Sequence, residues 1–161
     1  MRQATIAITV CLLGLLDAVC MPAQNGDVAV VVNQNNPVSN LSREDVRKLF
    51  AGEKQSWTPG LPVKIFVRAP GARERLVLLA MLDMSESEYK QYWISQVLRK
   101  DARDEPVALF SNAMQRQAIE VYPGAIALVN VGDVAGGMKV VRVDGHAPGE
   151  QGYPLSERRK H

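Results

Sequence analysis

The run DVAVVVN, from Asp27 to Asn33, is the stretch that most constrains this chain. It is β-branched, apolar and short, and it ends in a polar turn, so it reads as a buried strand. A buried strand needs neighbours, and the chain supplies candidates in PVKIFVR (Pro62 to Arg68), PVALF (Pro106 to Phe110), GAIALVNV (Gly124 to Val131) and MKVVRV (Met138 to Val143). Helical segments alternate with these runs. That alternation predicts an α/β, three-layer single domain with a mixed, mostly parallel sheet, in which the Asp27 and Gly124 runs are neighbouring central strands.

The helices announce themselves by their caps. In LSREDVRKLFAG, Ser42 stands three residues before Asp45, Leu41 and Val46 are placed as a hydrophobic staple, and Gly52 closes the helix. Ser85 and Glu88 form a capping box with a Met84–Tyr89 staple, and the helix they open is expected to bury Tyr89, Trp93, Val97 and Leu98. A further helix from about Pro70 to Leu82 is expected to bury Leu76, Leu79 and Ala80. Ser111 caps the last helix, which must stop before Pro123. The aromatic residues Trp57, Tyr89, Tyr92 and Trp93 are read as core. From Gly145 onward the chain is Gly, Pro and charge, so residues 146–161 are read as a flexible tail ending in Arg158-Arg159-Lys160-His161.

Residues 1–23 have a different character. Arg2 precedes the apolar run ATIAITVCLLGLL, and the small residues Ala18, Cys20 and Ala23 offer cleavage sites, which is the pattern of a signal peptide. The run is too short for a comfortable membrane span, so none is expected after cleavage. The protein is expected in the periplasm or otherwise secreted, with a lipoprotein anchored at Cys20 as the alternative. Both cysteines, Cys11 and Cys20, fall in this leader, leaving residues 24–145 as one domain without a thiol, disulfide or Cys-based metal site. A net charge of +2 is too small and too scattered for nucleic acid. No HExxH, GxSxG or phosphate-cradling glycine loop occurs, and the acids at Glu44, Asp45, Glu86 and Glu88 sit where helix dipoles want them. No catalytic residue, metal or cofactor is therefore assigned, and the chain is not read as an enzyme.

The best candidate site is the corner FVRAPGARER. A strand ends on Arg68, Pro70 and Gly71 turn the chain, and a helix starts with no side chain to cap it. The first N–H groups of a helix lack internal partners and carry partial positive charge, which suits an anion. Arg68 adds a planar fork able to hold phosphate or carboxylate by two bonds. A ligand would sit against the N–H groups of Gly71, Ala72 and Arg73, with Arg75 further from the mouth. The competing reading is a surface helix start satisfied by water and Glu74.

Three stretches resemble periplasmic phosphate-binding proteins in the same order along the chain. LSREDVRKLFAGEKQSW resembles a helix ending in Phe with Gly and Trp soon after. VKIFVRAPGARERLVLLAML resembles a strand ending in Arg before a Ser-Gly-Thr turn, and VYPGAIALVNV resembles a later pGAIGY strand. The chain is thus similar to a short phosphate ABC transporter substrate-binding-like protein, which implies a lobe of the type II periplasmic-binding-protein fold. The resemblance implies binding of an inorganic anion such as phosphate at Arg68 and the Gly71 turn. Here Ala69, Pro70, Ala72 or Arg73 replace the family's hydroxyl residues, Ala127-Leu128 replaces Gly-Tyr, and most of an N-terminal lobe is missing. Hydrogen bonds to a charged ligand are worth about 1.5–3 kcal/mol each. Two lost hydroxyls and an opposing lobe would cost at least about 4 kcal/mol, roughly a thousandfold in affinity. The expectation is a weak or altered site. The alternative is a ligand-free adaptor with a partner protein in the cell envelope.

Overall fold

The computed structural model describes residues 26–155; the expected leader and the last six residues lie outside them. Strand β1 (Val28–Asn33) is buried along its whole length. It runs antiparallel between β7 (Ala125–Asn130) and β8 (Met138–Val143), with Val30 opposite Leu128 on one side and Val141 on the other. Outward from β7 come β5 (Lys64–Arg68) and then the edge strand β6 (Val107–Leu109), both parallel to it in direction. Beyond β8 lies the short β2 (Asn40–Leu41), giving the order β2-β8-β1-β7-β5-β6. The sheet is mixed and mostly parallel, and the Asp27 and Gly124 runs are neighbours at its centre, as expected. A hairpin not foreseen, β3 (Ser56–Thr58) with β4 (Leu61–Pro62), takes the start of the expected Pro62 strand and leaves β5 to begin at Lys64.

Two cores follow from a sheet with no wet face. Alternate residues of a strand point to opposite sides. Val28, Val30, Val32, Ile126 and Leu128 meet α1 (Arg43–Phe50), α2 (Arg73–Leu82) and α3 (Glu86–Leu98), while Ala29, Val31, Ala127 and Val129 meet α4 (Asn112–Val121). The caps behave as expected. Ser42 accepts from the Asp45 N–H, Ser111 from the Met114 N–H, and Ser85 and Glu88 close a reciprocal capping box. Tyr89 and Trp93 are buried, but Val97 is only half-buried and Leu98 is exposed, because helical periodicity sets Leu98 on the side opposite Tyr89.

Helix α2 corrects the expectation in phase. It starts at Arg73 rather than Pro70, and its buried stripe is Glu74, Leu78 and Leu82 flanked by Arg75 and Leu79. Leu76 and Ala80 face solvent instead. Arg75, expected further from the mouth of the corner, is buried and sandwiched. It donates from Nε to Glu86 at 3.1 Å and from its second arm to the other carboxylate oxygen, and its guanidinium lies 4.0 Å from the Tyr89 ring centroid. Burial opposes its charge, but Glu86 and Tyr89 more than offset this and raise its pKa. This clamp joins α2 to α3 and fixes the corner where α2 begins.

The segment after Gly145 is the second correction. It was expected to hang loosely, yet Tyr153 and Leu155 are 3% and 4% exposed. The Tyr153 hydroxyl donates to the Val28 carbonyl at 2.8 Å, and the Gly149 N–H donates to Asp27. Its Gly and Pro residues make turns that lay two apolar side chains on the end of β1, and composition alone hides that geometry.

Three outcomes are expected. Tyr153→Ala should destabilise the protein by about 3 kcal/mol in chemical denaturation, the usual cost of emptying a large aromatic site. Hydrogen bonding to Arg75 holds the Glu86 carboxyl below its ordinary range. A depressed carboxylate contributes stability above its unfolded pKa and loses it as pH falls through the folded value. The melting temperature should therefore drop more steeply between about pH 5 and pH 3 in wild type than in Glu86→Gln. Arg75→Met should cost about 2 kcal/mol, since the Glu86 side chain is 43% exposed and water recovers part of the loss.

Candidate functional site

Strands β7, β5 and β6 run the same way, so their carboxyl ends form one edge. Ile65 stands opposite Ile126, which brings Arg68 and Asn130 out nearly level on adjacent strands. Helix α2 leaves this edge on one face and α4 on the other. Ligands of open α/β sheets bind at such an edge because helix N-termini converge there.

Arg68 ends β5 and is half-buried. One arm donates to Asn112 Oδ1 at 2.9 Å, at the first residue of α4, while its Nε is buried without a hydrogen-bond partner among the described residues. Gly71 turns the chain with φ of 86°, a left-handed conformation that costs a residue with a Cβ about 1–2 kcal/mol. Ala72 is the N-cap of α2, in extended conformation, and offers no side-chain cap, while Arg73 is the first helical residue. The four predicted residues thus lie on one turn. One detail differs: the Ala72 N–H is taken, donating to the Ala69 carbonyl at 3.2 Å. The donors suited to a ligand are therefore the first-turn N–H groups of the helix that follow it.

Two residues at this edge were not singled out for binding in the sequence. Asn130 ends β7 with its Oδ1 buried and without a hydrogen-bond partner among the described residues, and its amide reaches Asp133 Oδ2 at 3.4 Å. Glu74, the second residue of α2, is 3% exposed with Oε1 lacking a hydrogen-bond partner among the described residues. Its negative charge beside the positive end of the helix is favourable for the fold and competes with any anion brought there. An Asn following an apolar run, and a Glu in a first helical turn, carry no signal of their own in a sequence. The parallel pairing of β5 and β7 is what gathers them. Arg75 does not belong to this group, being committed to Glu86 and Tyr89.

A separate cavity of about 610 Å³ opens at the other end of the strands, lined by Lys54, Lys64, Trp93, Arg103, Tyr122 and Gly124 among others, and contains none of the predicted site residues. Among the described residues no group of three or more His, Cys, Asp or Glu could hold a metal ion, and no helix is long and apolar enough to cross a membrane.

The chain resembles known proteins in fold. It is similar to an ABC-type phosphate transport receptor from Vibrio cholerae (20% identity, TM-score 0.61), covering 76% of this chain and 48% of that one. It is also similar to a phosphate ABC transporter substrate-binding protein with bound phosphate from Clostridium perfringens (16% identity, TM-score 0.60), covering 74% and 46%. PstS from Borrelia burgdorferi is a third (14% identity, TM-score 0.57; 76% and 49%). The chain spans about half the length of these structures. No curated protein matches the sequence. The model of the PBP superfamily domain matches residues 14–157, nearly the whole chain. This protein belongs to that family.

Proposed function

We propose that this protein is an extracytoplasmic solute-binding-like protein whose Arg68 corner holds phosphate or a related inorganic anion weakly. The observation that carries this reading is Arg68 at the carboxyl end of β5, with its Nε unpartnered, beside an α2 N-terminus that no side chain caps. The ligand would lie against the first-turn N–H groups of α2, with Gly71 allowing close approach and Arg68 gripping from the strand. Weakness follows from three features of the same corner. Ala72 supplies no hydroxyl, the Ala72 N–H is spent on Ala69, and the Glu74 carboxylate sits within the field of the helix terminus. The apolar leader supports export. The resemblance of the fold to phosphate receptors supports the anion, and the missing hydroxyls support the alternative of a ligand-free adaptor in the envelope.

Titration calorimetry with inorganic phosphate separates the two. Arg68→Ala should weaken binding by about 1.5–3 kcal/mol, the worth of hydrogen bonds to a charged group. Ala72→Ser should tighten it by restoring a hydroxyl at the turn. Absence of heat at millimolar phosphate in both wild type and Ala72→Ser would favour the adaptor.

A further inference from the structure

The cavity at the amino ends of the strands has the dimensions of a ligand site. Its volume of about 610 Å³ lies within the range of roughly 300–1,000 Å³ that small-molecule pockets occupy. Voids left by imperfect packing are seldom larger than a water molecule, so this space is built into the fold. Strand order accounts for it. Edge strand β6 pairs with β5 from Phe66 onward, beginning at Val107, so on the side away from β7 the sheet gives Lys64 and Ile65 no neighbouring strand. Residues 102–106, on the way from α3 to β6, line the cavity together with that open flank.

Val63, Lys64 and Ile65 all line the space, although successive residues of an extended chain point to opposite faces. The cavity therefore wraps the flank of β5 and takes walls from both sides of the sheet. Val63 and Ile65 pack with the core beneath α3, and Trp93 of α3 joins them in the lining. Lys64 alternates onto the face of Phe66, whose ring centroid stands 5.4 Å from that of Tyr122, another lining residue. Aromatic and aliphatic side chains thus form the body of the site, and charged groups are added to it in unequal states. Lys54 is held by Asp45 at 3.8 Å. Lys64 is half-buried, and its ammonium has neither an ion pair nor a hydrogen bond among the described residues; the exposed Arg103 has none either. Asp104 and Glu105 also line the cavity, but both are exposed and water screens them. The cation that is partly withdrawn from water acts more strongly on whatever enters, and its own desolvation is uncompensated until an anion arrives.

We infer that this cavity is a second binding site, which takes a small aromatic carboxylate with its ring among Trp93, Tyr122 and Ile65 and its carboxylate on Lys64. Arg103 adds attraction at the mouth. An uncharged ring leaves Lys64 unpaired, and a bare inorganic anion leaves the apolar walls wet, so the site selects for both parts in one molecule. It is separate from the Arg68 corner. Lys64 is the first residue of β5 and Arg68 the last, about 13 Å apart along an extended strand.

Titration calorimetry of the purified protein with naphthoate is the test. Naphthylmethanol supplies the same ring system without the charge, and inorganic phosphate supplies charge without the ring. The expected result is one naphthoate per chain, with the alcohol weaker by about tenfold or more, the factor that a hydrogen bond to a charged group is worth. Millimolar phosphate should not displace naphthoate. Lys64→Met should lower the affinity for naphthoate to that for the alcohol, and Lys64→Arg should retain most of it. Should a substitution within β5 disturb folding, Arg103→Gln reads the same charge preference from an exposed side chain and should weaken naphthoate by about two- to fivefold. Tyr122→Ala should weaken naphthoate and the alcohol alike, and Arg68→Ala should change neither.

Absence of heat with naphthoate overturns the inference. Equal affinity for the alcohol, or naphthoate binding that neither Lys64→Met nor Arg103→Gln weakens, overturns it by removing the charge partner. Loss of naphthoate binding in Arg68→Ala, or its displacement by phosphate, overturns it by placing the ligand at the other end of β5. Phosphate binding at the Arg68 corner is read in its own titration, so either site can fail while the other stands.

Discussion

The antiparallel embrace of β1 by β7 and β8 is the constraint on which everything else hangs. Each residue from Val28 to Asn33 is buried, on both faces of the sheet and along both hydrogen-bonded sides. Such a strand can sit only in the middle of a sheet covered on both faces. That requirement calls for α1, α2 and α3 on one side and α4 on the other, and it draws Tyr153 back to donate to the Val28 carbonyl. It also sets the direction of β7, and hence of β5, whose carboxyl end carries Arg68.

The candidate site is a by-product of that arrangement, held by features remote from any ligand. Gly124, where the chain enters β7, approaches the Pro62 carbonyl so closely that an added Cβ would stand 1.8 Å from the oxygen. This contact sets the β3–β4 hairpin against the start of β7, and Trp57 reinforces it by donating to the Gly124 carbonyl at 3.0 Å. At the other end of β5, the Arg75 clamp on Glu86 and Tyr89 holds the first turn of α2. The strand carrying Arg68 is therefore braced at both ends. A corner so held is preorganised, and whatever it binds need not spend its own free energy on ordering the loop.

Arg68 and Glu74 show how one short stretch serves competing demands. The helix terminus has a field that any nearby negative charge can use. A buried carboxylate within the helix uses it for stability, and an external anion uses it for binding. In this chain Glu74 sits on the sheet-facing stripe with Leu78 and Leu82, so the internal acid has a permanent claim. Under the anion reading proposed above, this is a second physical reason for weak binding, beside the absence of a hydroxyl at Ala72.

Local chemistry made much of this protein legible from the chain alone. A Ser or capping box needs only its neighbours three residues on, so the starts of α1, α3 and α4 were readable, as were the valine-rich strands and the Arg68 corner. Long-range packing decided the rest. The phase of α2 depended on which face met the sheet, and a run as apolar as RLVLLAML offers too many faces to choose from. The burial of Arg75 depended on Glu86 and Tyr89 arriving from another helix, and the order of Tyr153 on a strand end more than a hundred residues away in the chain. Asn130 joined the Arg68 edge only because β7 lies beside β5 in parallel. Sequence by itself determined the side-chain-capped starts of α1, α3 and α4 and the apolar runs of β1 and β7, because those preferences act within a few residues. Only the tertiary structure decided which polar groups share an edge, because that depends on strand order, and strand order is set by the burial of β1.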